Sequence, residues 1–447
     1  MINKISLYKF TLFLTCLTIF FLPVSLSTFT GNTSMNISLS DFVLPFLFLC
    51  TIFLIHGGIE FSKKQINIIK KVVLYFVLFC SLIIFSLINI LFFSGNQTDF
   101  WKNCLIDSFK LFICSIYAIT FLIDFIIFYK NKDIKTIIKI SSYTLLFFSI
   151  TCILGFFLNS VGINNPFVHH GFRAKGTMLD TNLAACFILT FISFPLYLVI
   201  KEKEKKYYFI ILLSIVALLT TCSKAGIIIL FIMLLFTLVL FLFKKPYMLK
   251  KIFVPSLILI IVFIVLHNTT SLFDAIIERL GELTSDSLDT ITTGRNVLWE
   301  NAFDIMFNLN SFNFIKGIGI GMFTVYTKEF YPLYNETVLV VHNTFLSLWV
   351  ECGLIMFLLL ILTFIKMIYS SLKIFINTKN IIVIPFLFSI LALFIYMNSV
   401  NMQNNRFVYV YLIFYYLFFN LFISKKNGLK EIQDNIYDYE RKNFYGN

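Results

Sequence analysis

Charge is scarce in this 447-residue sequence: only 13% of its residues are Asp, Glu, Lys or Arg, about half of the roughly 25% usual in soluble domains. With 59% hydrophobic residues, that deficit excludes an ordinary water-soluble domain. The nine cysteines are odd in number and scattered, mostly inside apolar runs. None is spaced from another as a metal-ligand pair would be, so neither a zinc site nor a disulfide framework is expected. The long polar loops lack a D-x-D pair, the usual holder of a divalent ion in sugar-nucleotide enzymes, and no cofactor motif is present. Chemistry without metal or cofactor is expected. Basic residues are not interleaved with aromatics, so nucleic acid is not an expected partner. The first apolar run, about residues 10–27, lacks a small-residue cleavage site and reads as a first span.

What is present is repeated apolar length. A span needs about 20 apolar residues. Runs of that kind fall near 8–27, 40–56, 72–93, 105–129, 137–160, 180–200, 207–222, 224–243, 251–267, 343–368, 381–400 and 406–423. The expectation is an all-α polytopic membrane protein of about twelve transmembrane helices. Lysines gather in alternate short loops, as in Lys63-Lys64, "KEKEKK" at 201–206 and Lys244-Lys245, which marks that face as cytoplasmic. The chain then divides into nine spans over 1–267, a large outer loop at 268–342, three spans over 343–423, and a polar cytoplasmic tail at 424–447.

A connection as long as 268–342 is uncommon and usually functional. Within it, "SLFDAIIERLGEL" (271–283) and "GRNVLWENAFDIMFNL" (294–309) place apolar residues at helical spacing and predict two amphipathic helices over the membrane surface. "KGIGIG" at 316–321 has glycines at alternate positions. Without a preceding strand or a phosphate signature, it reads as a turn or close-packing segment rather than a dinucleotide loop.

Arginine is rarer still. Of 36 basic residues only five are Arg, at 173, 279, 295, 406 and 441, and four fall in loops of the outer face. A chain that defaults to lysine and keeps arginine there suggests bidentate grip on phosphate. Arg173, Arg295 and Arg406 are candidates for that role. Arg279 has Glu278 and Glu282 as helix-surface partners, and Arg441 lies in the tail. "HHGFRAKGTMLDTNLAA" (169–185) adds His169, His170, Lys175 and Asp180 at the entry of a span, and "TCSKAG" (221–226) leaves Lys224 between two apolar runs. A charge so placed is costly unless it faces a cavity or an anion.

His342, in "VVHNTFLSLWVECGL", opens an apolar run. At the first turn of a helix the dipole disfavours imidazolium, so a neutral, proton-accepting ring is expected. Glu336 and Glu351 are rival bases, but Glu351 lies nine residues on, nearly on the opposite helical face.

"SKAG" (223–226), "GRNVLW" (294–299), "KGIGIGMF" (316–323) and "HNTFLSLWVECGL" (342–354), in that order and spacing, resemble the O-antigen ligase and O-antigen polymerase superfamily of bacterial membrane glycosyltransferases. The resemblance covers roughly residues 165–365. It implies a GT-C-like enzyme of the inner membrane, with its site facing the periplasm. Arg295 and His342 stand at the family's catalytic positions, while Arg173, Lys175, Lys224 and Arg406 are substrate-binding candidates. Lys224 occupies a position where arginine is more usual. "FRAKGTMLDTN" (172–182) resembles a stretch common in polymerase members. The implied partners are an undecaprenyl-diphosphate-linked glycan donor, a glycan or lipid A-core acceptor, membrane lipid and a chain-length regulator.

The favoured reading is an inverting, metal-independent polymerase of lipid-linked repeat units. The alternatives are a ligase acting on lipid A-core, a member transferring glycan to protein serine, and a lipid-linked sugar transporter. Transporters place charges near mid-membrane and often carry two related halves. Here the charges gather at one face and no half-repeat is visible.

Overall fold

The computed structural model describes residues 4–30, 37–90, 100–130, 133–169, 172–244, 281, 294–310, 312–330, 340–378 and 380–423. The expected ninth span at 251–267, the amphipathic helix at 271–283 with Arg279 (except residue 281), His170, Glu336 and the tail with Arg441 lie outside the described residues.

The chain is an all-α polytopic membrane protein. Apolar segments form helices because lipid offers no partner for backbone N–H and C=O groups, and a helix satisfies them internally. The helices are α1 (Lys4–Phe21), α2 (Ser40–His56), α3 (Lys63–Ile90), α4 (Phe100–Lys130) and α5 (Ile134–Ser160). A two-stranded hairpin of β1 (Val168–His169) and β2 (Arg173–Ala174) follows, then α6 (Thr181–Phe191), α7 (Ser193–Glu202), α8 (Lys206–Thr220) and α9 (Lys224–Lys244). Within the large loop lie α10 (Arg295–Asp304) and α11 (Phe323–Phe330), and after it come α12 (Thr344–Cys352), α13 (Leu354–Thr378), α14 (Ile384–Tyr396) and α15 (Arg406–Leu417).

Among the described residues, five helical stretches are long and apolar enough to cross a membrane: Lys63–Ile88, Cys104–Tyr129, Ile134–Ser160, Thr181–Glu202 and Leu354–Thr378. Six shorter apolar helices accompany them. Large apolar side chains such as Phe42, Phe46, Leu74 and Phe231 are exposed on the bundle's outside. Water would make that surface a liability, whereas lipid is its natural solvent.

Two interruptions follow from sequence. α6 and α7 are separated at Ile192, and Pro195 in the next turn lacks the N–H that would continue the ladder. The apolar run 343–368 is divided at Gly353, whose φ is 83°. α12 is therefore a short helix of its own, and the 25-residue α13 does the spanning. A Cβ at Gly353 would stand 2.2 Å from the Ile315 carbonyl oxygen, and one at Gly317 2.5 Å from that of Glu351. The glycine-rich segment is thus a close-packing piece. The Ile318 and Gly319 N–H groups donate to the Val350 and Glu351 carbonyls at 2.8 and 2.9 Å, satisfying the open C-terminal end of α12.

The core at α6, α7, α14 and α15 is aromatic. Phe187 stacks on Phe191 at 4.2 Å, and Phe386 meets Phe418 at 4.2 Å. Several buried polar groups bridge helices. The Thr15 and Thr51 hydroxyls donate to buried Asp124 at 3.3 and 2.8 Å, joining α1, α2 and α4. Lys135, Lys139 and Lys206 pair with Glu202 and Glu204 at the lysine-rich face.

Candidate active site

The segment after the hairpin is held from three sides. The Lys175 and Gly176 N–H groups donate to the Phe167 carbonyl at 2.8 and 3.0 Å. The Ser25 N–H and the Thr28 hydroxyl donate to the Thr177 carbonyl at 2.9 and 3.0 Å. Gly176 has φ +56° and packs where a Cβ would meet the Cys152 sulfur at 2.8 Å, so a side chain is excluded there. The segment ends at Asp180, which caps α6 by accepting from the Asn182 and Leu183 N–H groups at 2.7 and 3.3 Å.

Arg295 and His342 come together by a separate route. Arg295 is the first residue of α10, after Gly294 in the left-handed region. One turn on, the Trp299 indole N–H donates to the Val341 carbonyl at 3.0 Å. His342 itself has φ 52°, an uncommon conformation for a side-chain-bearing residue and one found where surrounding structure imposes it. Its neighbour Asn343 caps α12, accepting from the Phe345 and Leu346 N–H groups at 3.0 Å each. The Thr344 N–H donates to the Met397 carbonyl at 2.7 Å and its hydroxyl to that of Val400 at 2.6 Å. His342 is thereby fixed between α10 and the α14–α15 connection.

These segments converge electrostatically. Burial lowers the His342 pKa below 6.5, Arg295 lowers it further, and Asp180 opposes both. The neutral imidazole expected from the helix dipole thus has burial and a neighbouring guanidinium as its main causes. Burial also presses on Arg295; Tyr396 and Asp180 counter it, and Arg173 adds to it. Arginine remains charged under such pressure. Burial lowers the Lys175 pKa, with Asp180 again in opposition. Arg173, Lys175, Asp180, Arg295, His342 and Tyr396 therefore occupy one electrostatic neighbourhood drawn from the hairpin, α10, α12 and α14. Arg173 also donates from Nε to the Thr221 carbonyl at 3.5 Å, which ties β2 to the end of α8.

Lys224 opens α9 beside Ser223. The Ser223 hydroxyl donates to Asn182 Oδ1 at 3.0 Å and lies 2.6 Å from the Tyr396 hydroxyl. Lys224 is half-buried at this end of the bundle.

Arg406 meets a different arrangement from the substrate-binding role expected of it. It is 5% exposed. Its Nε and Nη2 donate to Asp41 at 3.1 and 2.8 Å, and Nη1 donates to the Asn404 carbonyl at 3.1 Å. The fork that would grip a phosphate is filled by a carboxylate on α2, a partner 365 positions away that no sequence spacing reveals. Glu351, the rival base, is buried and accepts from the Gly321 and Phe323 backbone N–H groups.

Asp180, Asn182, Ser223, Tyr396 and Trp299 complete the neighbourhood. Asp180 had a sequence signal, an acid directly before a helical run. Tyr396 had none, because it sits at the end of an apolar helix and looks like core.

Chemically, the site offers fixed cations for a developing anion and a neutral imidazole for a proton. No curated protein matches the chain. Residues 209–361 match the family model described as O-antigen ligase, a stretch that contains Lys224, Arg295 and His342 but not Arg173, Lys175 or Arg406. That match supports the resemblance of the chain to the O-antigen ligase and polymerase superfamily, whose activity is of the glycosyltransferase type.

Proposed function

We propose that this protein polymerises undecaprenyl-diphosphate-linked oligosaccharide repeat units at the periplasmic side of the bacterial inner membrane. The observation that carries the reading is the convergence of Arg295 and Arg173 with a His342 kept neutral by burial. The spans of 1–267 and 343–423 would hold the site in the membrane, with the loop at 268–342 on the periplasmic side and 424–447 on the cytoplasmic side.

In the proposed reaction the acceptor hydroxyl oxygen attacks the anomeric carbon of the donor. The bond from that carbon to the diphosphate oxygen breaks, with its electron pair leaving on undecaprenyl diphosphate. Arg295 and Arg173, with Lys175 and Lys224 nearby, stabilise the charge growing on the diphosphate. His342 Nδ1 or Nε2 takes the hydroxyl proton. A single displacement from the opposite face inverts the anomeric centre. Four cations supply the electrostatic role a divalent ion plays elsewhere, which supports metal-independent transfer; loss of activity in EDTA would overturn that part. Arg406 is left out of the diphosphate site, because Asp41 occupies its fork.

A ligase passing finished glycan to lipid A-core uses the same diphosphate chemistry, and the family description favours it as the second reading. Deleting the chromosomal copy and resolving surface glycans by gel electrophoresis separates them. Core capped with a single repeat supports polymerase. Bare core with accumulated lipid-linked polymer identifies a ligase. Unchanged glycan ladders contradict both.

A further inference from the structure

The lysine-rich end of the bundle carries a second arrangement, at the far end of a cavity whose other end reaches Thr344, Met397 and Gln403 near His342. α3, α13 and α15 enclose a cavity of about 520 Å³. Its lysine-rich end opens into another of about 440 Å³, and Lys71, Tyr416 and Asn420 line both. Most of the wall is apolar or aromatic, as a groove for hydrocarbon should be. Two ammonium groups interrupt it: Lys71 of α3 and Lys366 of α13. Lys63 and Lys64 line the adjoining cavity. Among the described residues, no Asp or Glu lines either one.

Lys366 is not at a helix end. It lies twelve residues into α13, about 18 Å along the helix at 1.5 Å per residue. A lysine at such depth is rare and costly, and it is retained where it faces an anion or a water-filled cavity. Lys366 is the midpoint of α13, with twelve residues on either side, and its Cα–Cβ bond leans toward the helix N-terminus, away from the lysine-rich surface. One turn farther from that surface, Tyr75 hydrogen-bonds Thr363, tying α3 to α13 just beyond the two lysines. The groove is therefore polar and cationic below this tie.

We infer that the linked cavities at the lysine-rich end bind an anionic glycerophospholipid. Its phosphate sits among Lys71, Lys366 and the Lys63–Lys64 pair, with Asn420 and the Tyr416 hydroxyl as neutral donors, and an acyl chain lies in the groove between α3, α13 and α15. Charge complementarity selects this occupant. A membrane supplies one abundant anion at this depth, a lipid phosphate, and basic pockets between spans are suited to it. The phosphate position lies at the opposite end of this cavity from Thr344 and Met397.

The test is native mass spectrometry of the purified full chain, titrated with dioleoyl phosphatidylglycerol and, separately, with dioleoyl phosphatidylcholine. The wild type is expected to prefer phosphatidylglycerol, with at least one adduct surviving mild delipidation. K71Q and K366Q should each weaken that binding about fivefold, and the double variant about 25-fold. K71R/K366R should retain it, with all variants remaining monodisperse. If K71Q/K366Q fails to fold, the single variants carry the reading. Equal binding of both lipids by the wild type, or an undiminished preference in the Gln variants, overturns the inference. So does displacement of phosphatidylglycerol by equimolar undecaprenyl phosphate, which would make the groove a polyprenyl site.

Discussion

The Trp299 indole N–H donates to the Val341 carbonyl at 3.0 Å, and this bond joins the helix that begins at Arg295 to the residue before His342. Two groups far apart in sequence are tied together through this bond between their neighbours. Trp299→Phe keeps the ring and removes the donor. A lost hydrogen bond of this kind costs about 1 kcal/mol, so protein yield should hold while transfer in membranes falls several-fold. Unchanged transfer would show that the bond does not position the pair.

Arg295→Gln removes the buried fork but keeps hydrogen-bonding capacity. Loss of one preorganised donor to a developing oxyanion costs about 10²–10³-fold in rate. The expected deficit is of that size, measured as polymer formed per unit of membrane protein. Arg295→Lys should recover only part of it, because an ammonium lacks the bidentate geometry.

The pH profile follows from the direction of the His342 shift. Burial and Arg295 lower its pKa from 6.5, so the neutral, active form persists below the pH at which an ordinary histidine charges. The acid limb of the pH–rate profile should lie below 6.5. Asp180 opposes that shift, so Asp180→Asn, which preserves the helix cap, should move the limb to still lower pH. A limb that moves upward in this variant would contradict the arrangement.

Arg406 and Asp41 form a buried bidentate pair between α15 and α2. Removing one partner strands a buried charge, at a cost of about 3–5 kcal/mol. Arg406→Gln should therefore reduce folded protein, read as thermal stability in detergent, whereas Arg406→Met with Asp41→Leu should recover much of the loss. A stable Arg406→Gln protein with weakened donor binding would restore Arg406 to the substrate site.

Gly353 and Gly317 meet with no room for a side chain: a Cβ on Gly353 would be 2.2 Å from the Ile315 oxygen. Gly353→Ala is expected to disrupt the α12–α13 junction and abolish accumulation of the protein. Gly162, also at positive φ but with nothing within 4 Å of its Cβ position, should tolerate alanine better by the same assay.

Fold class was legible in the sequence because hydropathy length and lysine placement are local properties. Eleven of the twelve expected spans correspond to apolar helices among the described residues, and the ninth lies outside them. The break at Gly353 escaped because continuous hydrophobicity conceals a turn set by contact with Ile315. His342 and Arg295 were singled out by residue type and family spacing, and the structure brings the two near one another. Arg406 was misleading because rarity signals an important arginine without revealing its partner, and Asp41 is an unremarkable acid at the start of another helix. Tyr396 and Trp299 were hidden for the opposite reason: both look like membrane-compatible aromatics until their polar atoms find partners across the bundle.

The central claim is that His342 accepts the acceptor proton beside Arg295. The most direct measurement is transfer by the purified protein in lipid nanodiscs, given synthetic undecaprenyl-diphosphate-linked repeat units and compared with His342→Ala. The account predicts elongated glycan from the wild type and a rate lower by about 10²–10⁴-fold from the variant, with both equally folded. Elongation at the wild-type rate by His342→Ala would contradict it.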